Sequence, residues 1–413
     1  MDLIIGAGIS GISYANFTDN DYLIIEQSSS PGGYCKTTYQ DGFVWDYSGH
    51  FFHFRQPEIE AYVCKNIAPE ILRHVEKHTQ ILYKGQYINF PFQKNIHQLA
   101  KEEFIDCIYD LFTTPDIEPH SFKEMVCANL GLSIAEKFLI PYNEKLYACD
   151  LDQLDMNAMG RFFPKASKEE IIRNFRNGDN KSYNSYFVYP ETGAIEYINS
   201  LLKNIDMGKL SLGEKLLSVN PGRKIAKTNL REIHYDNLIS TIPFPRLLDR
   251  TGIIYPTGLF SCNKVLVLNL GFDSKGTDRT NCWIYIPSKE YIFYRVGYYD
   301  NIIKSGKMSL YVEIGFPENA QLGPTKTYLE RVLTDLKKTG VLTTQKLIAH
   351  QSVLMDPAYV HINKQSINAV TEYKSRLASN DIYSIGRYGS WTYCSIEDNI
   401  MEAKQLSETI RHK

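Results

Sequence analysis

The sequence predicts an α/β chain of two or three domains, and three stretches carry that prediction. At its start Leu3-Ile4-Ile5 runs into Gly6-Ala7-Gly8-Ile9-Ser10-Gly11, and Tyr22-Leu23-Ile24-Ile25 then closes on Glu26. This is a strand, a glycine turn opening a helix, and a second strand ending in an acid about twenty residues after the first glycine. Near the end Ile382-Tyr383-Ser384-Ile385 meets Gly386-Arg387-Tyr388-Gly389 and a helix from about Ile396, again strand, glycine turn and helix. Between them four apolar runs with turn residues in between read as an antiparallel sheet. The pattern is a Rossmann-type nucleotide-binding domain with a mainly helical insertion and a sheet domain for the substrate.

Each residue type in the first stretch has a physical task. Gly6 and Gly8 let the backbone turn tightly and approach a pyrophosphate, whose charge meets free amides and the positive end of the helix dipole. Gly11 completes the glycine turn, and Glu26 can accept hydrogen bonds from the ribose hydroxyls of an adenosine. The competing reading is a glycine turn that binds nothing, which leaves the spacing of Glu26 unexplained.

Further along, Gly42 to His50 reads as a strand ending in a glycine turn. Pro57 to Glu76 has a helical pattern, and Gln80 to Phe90 is a hairpin turning at Gly85. Helical stretches last to about Tyr147, with Pro115 and Pro119 marking a loop between them. Residues 150–176 read as loop and helix, and Gly178 to Lys181 as a turn. Tyr189-Pro190-Glu191-Thr192-Gly193, with a helix through Leu202, reads as a loop closing over a ligand. Short strands lie at 216–219 and 232–234, and Tyr235 to Pro243 returns to the nucleotide-binding sheet. The sheet runs are 264–270, 282–286, 293–297 and 308–313, followed by a helix near 328–337. The implied boundaries are 1–88, 205–250 and 375–413 for the nucleotide-binding domain, 89–190 for the helical domain and 251–374 for the substrate sheet.

Composition excludes several classes. The chain has 413 residues, 43% hydrophobic and 22% charged, with a formal net charge of −2, so it has a globular core and no bulk attraction to nucleic acid or anionic membrane. No apolar run reaches the roughly twenty residues a bilayer requires. The first strand begins at once, leaving no room for a signal peptide, so a cytoplasmic location is expected. The eight cysteines lack paired or zinc-like spacing, which favours free thiols over disulfides or metal ligands.

Ser30-Pro31-Gly32-Gly33, just after the acid, resembles the flavoprotein superfamily, where the glycine pair lies along FAD. That resemblance makes FAD the expected cofactor. Four further motifs sharpen it: Phe90-Pro91-Phe92-Gln93-Lys94-Asn95-Ile96, Pro141-Tyr142-Asn143-Glu144-Lys145-Leu146-Tyr147, Cys282-Trp283-Ile284-Tyr285-Ile286-Pro287 with Phe293-Tyr294-Arg295, and Gly386-Arg387-Tyr388-Gly389-Ser390-Trp391-Thr392-Tyr393. In order and spacing they resemble the UDP-galactopyranose mutase family, its eukaryotic-type branch, and the neighbouring protoporphyrinogen-oxidase-like group.

The resemblance implies a flavoenzyme that interconverts pyranose and furanose forms of a UDP-sugar, galactose by default, through a reduced-flavin N5–sugar adduct. It implies FAD as cofactor, a UDP-sugar substrate, and NAD(P)H or another reductant, and leaves a homo-oligomer open. It assigns Arg295 to the diphosphate, Tyr359 and Tyr393 to the phosphates, Arg387 to the flavin, and His50, after Gly49, to the loop facing the isoalloxazine. Phe92, Gln93, Asn143 and Tyr147 fall where uridine is held, Asn184 at a diphosphate or ribose contact, and Trp283 and Tyr285 beside the sugar. The family's second arginine, in a Gly-Glu-Arg context, has no exact counterpart. Arg161 directly follows Gly160, and Lys165 is the alternative. Gly32, Gly33, Gly49 and Ile396 complete the expected cofactor contacts. The rival readings are a flavin oxidase of the amine or protoporphyrinogen type, and a flavin-free relative of the prenyl-GTPase chaperones.

Overall fold

The computed structural model describes residues 1–115, 117–180 and 185–413. Its organising element is a five-stranded parallel sheet in the order Ile382–Ser384, Asn237–Ser240, Asp2–Ile5, Tyr22–Glu26, Leu210–Leu212. These strands are apolar without a polar face because both faces are covered. Ile4, Ile24 and Ile239 point to one side, against the helices Ile9–Phe17, Ile195–Leu202 and Ile396–Arg411. Leu3, Ile5, Ile25 and Leu238 point to the other, against a three-stranded sheet and the helix Phe244–Thr251. The two-residue side-chain period thus sorts one strand into two cores.

A seven-stranded sheet forms the second layer, ordered Leu347–Met355, Asn263–Phe272, Ser309–Pro317, Arg295–Tyr298, Trp283–Tyr285, Thr79–Tyr83, Gln86–Asn89. It is antiparallel except where Thr79–Tyr83 runs parallel to Trp283–Tyr285. The hairpin read from sequence at 80–90 therefore joins this sheet and not the parallel one. One face packs on the helix Thr325–Lys338. The other turns aromatic and charged residues toward the first layer.

The helical part, Lys101–Thr113, Phe122–Leu130, Leu132–Tyr147 and Lys168–Asn177, has its own core. A π-helical turn over Ala135–Leu139 precedes Pro141, which has no N–H to continue the ladder. Phe138 and Leu139 on that turn face the cleft between the layers.

Three expectations are corrected. The helical pattern of 57–76 ends at Cys64, and Leu72–Glu76 is a strand pairing with Tyr186–Pro190, a partner more than a hundred residues away that no local pattern reveals. The stretch 189–193 is no lid, since Tyr189 is buried and its hydroxyl donates to Asp46 in the interior. The strand Leu347–Met355 and the helix Lys364–Ala378 were not anticipated. Among the described residues no helix is long and apolar enough to cross a membrane.

Candidate active site

A single cavity of about 650 Å³ runs between the layers, from Gly6, Gly8 and Glu26 at one end to Trp283, Arg295 and Tyr359 at the other. At the first end Gly6 turns with φ +104° and the helix Ile9–Phe17 begins without a side-chain cap, so its first-turn amides face the cavity's glycine wall. Gly8 and Gly33 abut closely enough that a Cβ on Gly33 would lie 3.3 Å from the Gly8 Cα. Gly32 donates its N–H to the Ala7 carbonyl at 2.7 Å, which locks the two turns together. Glu26 accepts from the Ala7 and Ser28 amides at 2.9 and 2.8 Å, one to each oxygen. Each oxygen keeps a lone pair for a diol, so the cradle fits an adenosine diphosphate moiety such as that of FAD.

Cross-strand register builds the other end. Tyr285 pairs with Arg295 and Arg295 with Glu313, so these three side chains form one row across neighbouring strands; Trp283, Gly297 and Tyr311 form the next. Arg295 grips Glu313 through two bonds, Nε to Oε2 and Nη2 to Oε1, both 2.7 Å. Glu313 is 1% exposed and also accepts from the Ser48 hydroxyl. Burial would lift the Glu313 carboxyl, but Arg295 and Ser48 outweigh it and hold it below the usual carboxylate range. Arg387 faces the cavity with no carboxylate partner among the described residues. It donates to the Cys394 carbonyl at 3.1 Å and lies over the rings of Tyr393 and Tyr359, 4.5 and 5.4 Å from their centroids. Tyr359 and Tyr393 themselves stack at 6.0 Å.

Of the residues expected from sequence, the cavity brings together Gly6, Gly8, Glu26, Gly32, Gly33, Gly49, His50, Asn143, Arg161, Trp283, Tyr285, Arg295, Tyr359, Arg387, Tyr393 and Ile396. Gly11 lies behind the turn. Phe92, Gln93 and Tyr147 do not line the cavity, because each is buried in the helical core: Phe92 stacks behind Phe138, Gln93 donates to the Pro164 carbonyl, and Tyr147 packs edge-on to Tyr359. Asn184 lies outside the described residues. Arg161 reaches the cavity whereas Lys165 does not, and its Nη2 donates to Ser395 and Asp398. Asn143 Oδ1 is buried without a hydrogen-bond partner among the described residues.

The sequence reading missed Glu313, Arg55 and Asp398. Arg55 and Arg161 meet on Asp398 at the mouth, beside the start of the last helix. Glu313 carried a signal: a lone acid inside an apolar strand requires a buried cation opposite it.

His50 shares the loop with Ser48, and its Nδ1 lies 3.1 Å from the Ser48 carbonyl. Burial pushes its imidazole down to about 4, against Glu313, the largest pull the other way. The unfolded chain therefore takes up a proton near pH 6.5 that the folded one refuses, so stability present above that pH is lost as pH falls toward 4. A urea titration across this range will show the midpoint falling, by up to about 1.4 kcal/mol per pH unit from this group. His50→Gln will flatten the slope; an unchanged slope would remove His50 as its source.

The fold defines a class: a Rossmann-like domain joined to a seven-stranded, mostly antiparallel sheet and a helical part. The family described as NAD(P)-binding Rossmann-like domain matches residues 4–65. The particular likeness is to reduced UDP-galactopyranose mutase, whose crystal structure superimposes with a TM-score of 0.90 at 22% identity, covering 100% of this chain and 93% of that one. A protein of Exiguobacterium sp. 255-15, provisionally named a protoporphyrinogen oxidase, gives 0.79 at 19% identity over 100% and 98% of the two chains. A putrescine oxidase double mutant gives 0.68 at 12% identity over 100% and 99%. By sequence, chloroplastic protoporphyrinogen oxidase of Nicotiana tabacum is 24% identical over 172 residues, which is 38% of this chain and only 30% of that protein's length.

Proposed function

We propose that the protein is an FAD-dependent mutase interconverting pyranose and furanose forms of a UDP-sugar, with UDP-galactose as the leading substrate. One observation carries this reading: the cavity that begins in the dinucleotide cradle ends in two arginines among tyrosines, Arg295 and Arg387 with Tyr285, Tyr359 and Tyr393. A cationic amine substrate calls for an apolar or anionic chamber. A diphosphate calls for planar guanidinium forks and hydroxyl donors.

Reduced FAD held along the cradle of Gly6, Gly8 and Glu26 would supply a nucleophile toward the sugar's anomeric carbon. The chain's own residues bind and orient. Arg295 takes the diphosphate, with the Tyr359 and Tyr393 hydroxyls as further donors, and Arg387, lying over both of those rings, is the cation on the flavin side. Asn143 offers its unpartnered acceptor to the nucleoside, and Trp283 and Tyr285 wall the sugar. His50, Gly49 and Ser48 form the rim where the flavin ring would lie. Arg161 supplies a further cation at the mouth, in exchange with Asp398.

Dithionite-reduced protein incubated with UDP-galactofuranose, and in parallel with other nucleotide sugars, will yield the ring isomer by chromatography, while the oxidised protein will not. Equal turnover by oxidised and reduced protein would overturn the mechanism. Steady oxygen consumption with an amine or porphyrinogen, and no isomer, would favour the oxidase reading.

A further inference from the structure

The charge on Arg295 is matched, inside the cavity, by a carboxylate that no other part of the site explains. A carboxylate beside a diphosphate site opposes binding unless it performs a second task. Its geometry shows what that task is. Glu313 uses both oxygens on Arg295 and engages Nε and Nη2, and Nη1 has no hydrogen-bond partner among the described residues. Its Oε1 also accepts the hydroxyl of Ser48, two residues before His50. The Ser48–His50 segment in turn has no slack. A Cβ at Gly49 would lie 2.5 Å from the Tyr311 hydroxyl and 2.9 Å from Phe51, and Tyr311 sits over Gly297, next to Arg295 on its own strand.

Resting on the diphosphate reading above, we propose that Glu313 is a positioning residue: one carboxylate fixes the Arg295 fork toward the ligand's phosphates and, through Ser48, ties that fork to the loop carrying Gly49 and His50. Ligand anion and flavin-side loop are then held by a single group.

The groups facing Glu313 leave it that role. Arg295 is its ion-pair partner, Ser48 its hydroxyl donor, and Tyr294, Tyr311, Tyr285, Tyr142, Tyr299 and Tyr359 surround it, each with its own ionisation pushed up by burial. His50 is neutral there. Arg295 is thus the cation that compensates it.

The test is calorimetric titration of UDP-glucose into oxidised, FAD-loaded protein, which separates binding from turnover. Glu313→Gln keeps size and one acceptor but loses the charged fork, and will weaken UDP-glucose binding by about tenfold or more, the scale of a charge-assisted bond. FAD content will be unchanged. Ser48→Ala will weaken it by about two- to fivefold. The double variant will bind like Glu313→Gln alone, because Ser48 acts through that carboxylate. Glu313→Asp, which keeps the charge but shortens the reach, will not restore affinity. The proposal is overturned if Glu313→Gln binds as tightly as the parent or tighter, which would make Glu313 a mere competitor for Arg295. It is equally overturned if the Ser48 effect is absent or simply adds. Should Glu313→Gln fail to fold, Ser48→Ala and Glu313→Asp decide alone. Failure of the unaltered protein to bind UDP-glucose would instead refute the diphosphate reading.

Discussion

Arg295→Ala will lower UDP affinity by about a hundredfold while the purified protein stays yellow. The magnitude follows from what is removed: one guanidinium offering two charge-assisted bonds, each worth about 1.5–3 kcal/mol where water is excluded. The sparing of the cofactor follows from distance along the cavity, because the Glu26 and glycine cradle lies at its other end. The same substitution strands Glu313, 1% exposed, without its partner. Breaking a buried pair from one side costs about 3–5 kcal/mol, so the melting temperature will also fall. Arg295→Met combined with Glu313→Gln removes both charges, and will recover much of that stability but none of the affinity. Titration calorimetry and thermal melts on the three proteins separate the two effects. Unchanged UDP binding in Arg295→Ala would refute the assignment of Arg295 to the phosphates.

The nucleotide end of the molecule was legible in the sequence because its determinants are local. Strand, Gly6 to Gly11, second strand and Glu26 occupy one run, and the closing strand and helix at 382–411 announce themselves by the glycine turn Gly386-Arg387-Tyr388-Gly389 between them. The ligand end was legible only as separate motifs. Tyr285, Arg295 and Glu313 become neighbours through pairing of three strands, and register is written in no single segment. Hence Arg295 could be singled out and its partner could not. Phe92, Gln93 and Tyr147 illustrate the converse. A motif near a ligand mixes side chains that touch it with side chains that pack behind those, and only burial against Phe138, Pro164 and Tyr359 separates the two groups. Leu72–Glu76 was misread for the same reason as Glu313 was missed, since its partner strand comes from far along the chain.

Gly11→Ala is expected to strip FAD from the protein without touching any group that faces it. Gly11 sits on the side of the helix Ile9–Phe17 that meets the first strand's exit, where an added Cβ would lie 2.0 Å from the Gly6 carbonyl oxygen and 3.2 Å from Ile4. The first obstacle is backbone, so no rotamer change relieves it. The helix must retreat by an ångström or more, or Gly6 must turn away from its φ of +104°. Either movement carries off the first-turn amides and disturbs the Ala7 N–H that holds Glu26 at 2.9 Å, so the pyrophosphate and ribose contacts loosen together. Overpacking of this kind costs about 1–3 kcal/mol in stability, which a protein of this size can survive. The expected result is therefore a folded protein, a few degrees less stable, with its yellow absorbance lost on gel filtration. A variant that folds and keeps stoichiometric FAD would mean that the turn tolerates a wider separation than its geometry allows, and the cradle at Gly6, Gly8 and Glu26 would not be what retains the cofactor.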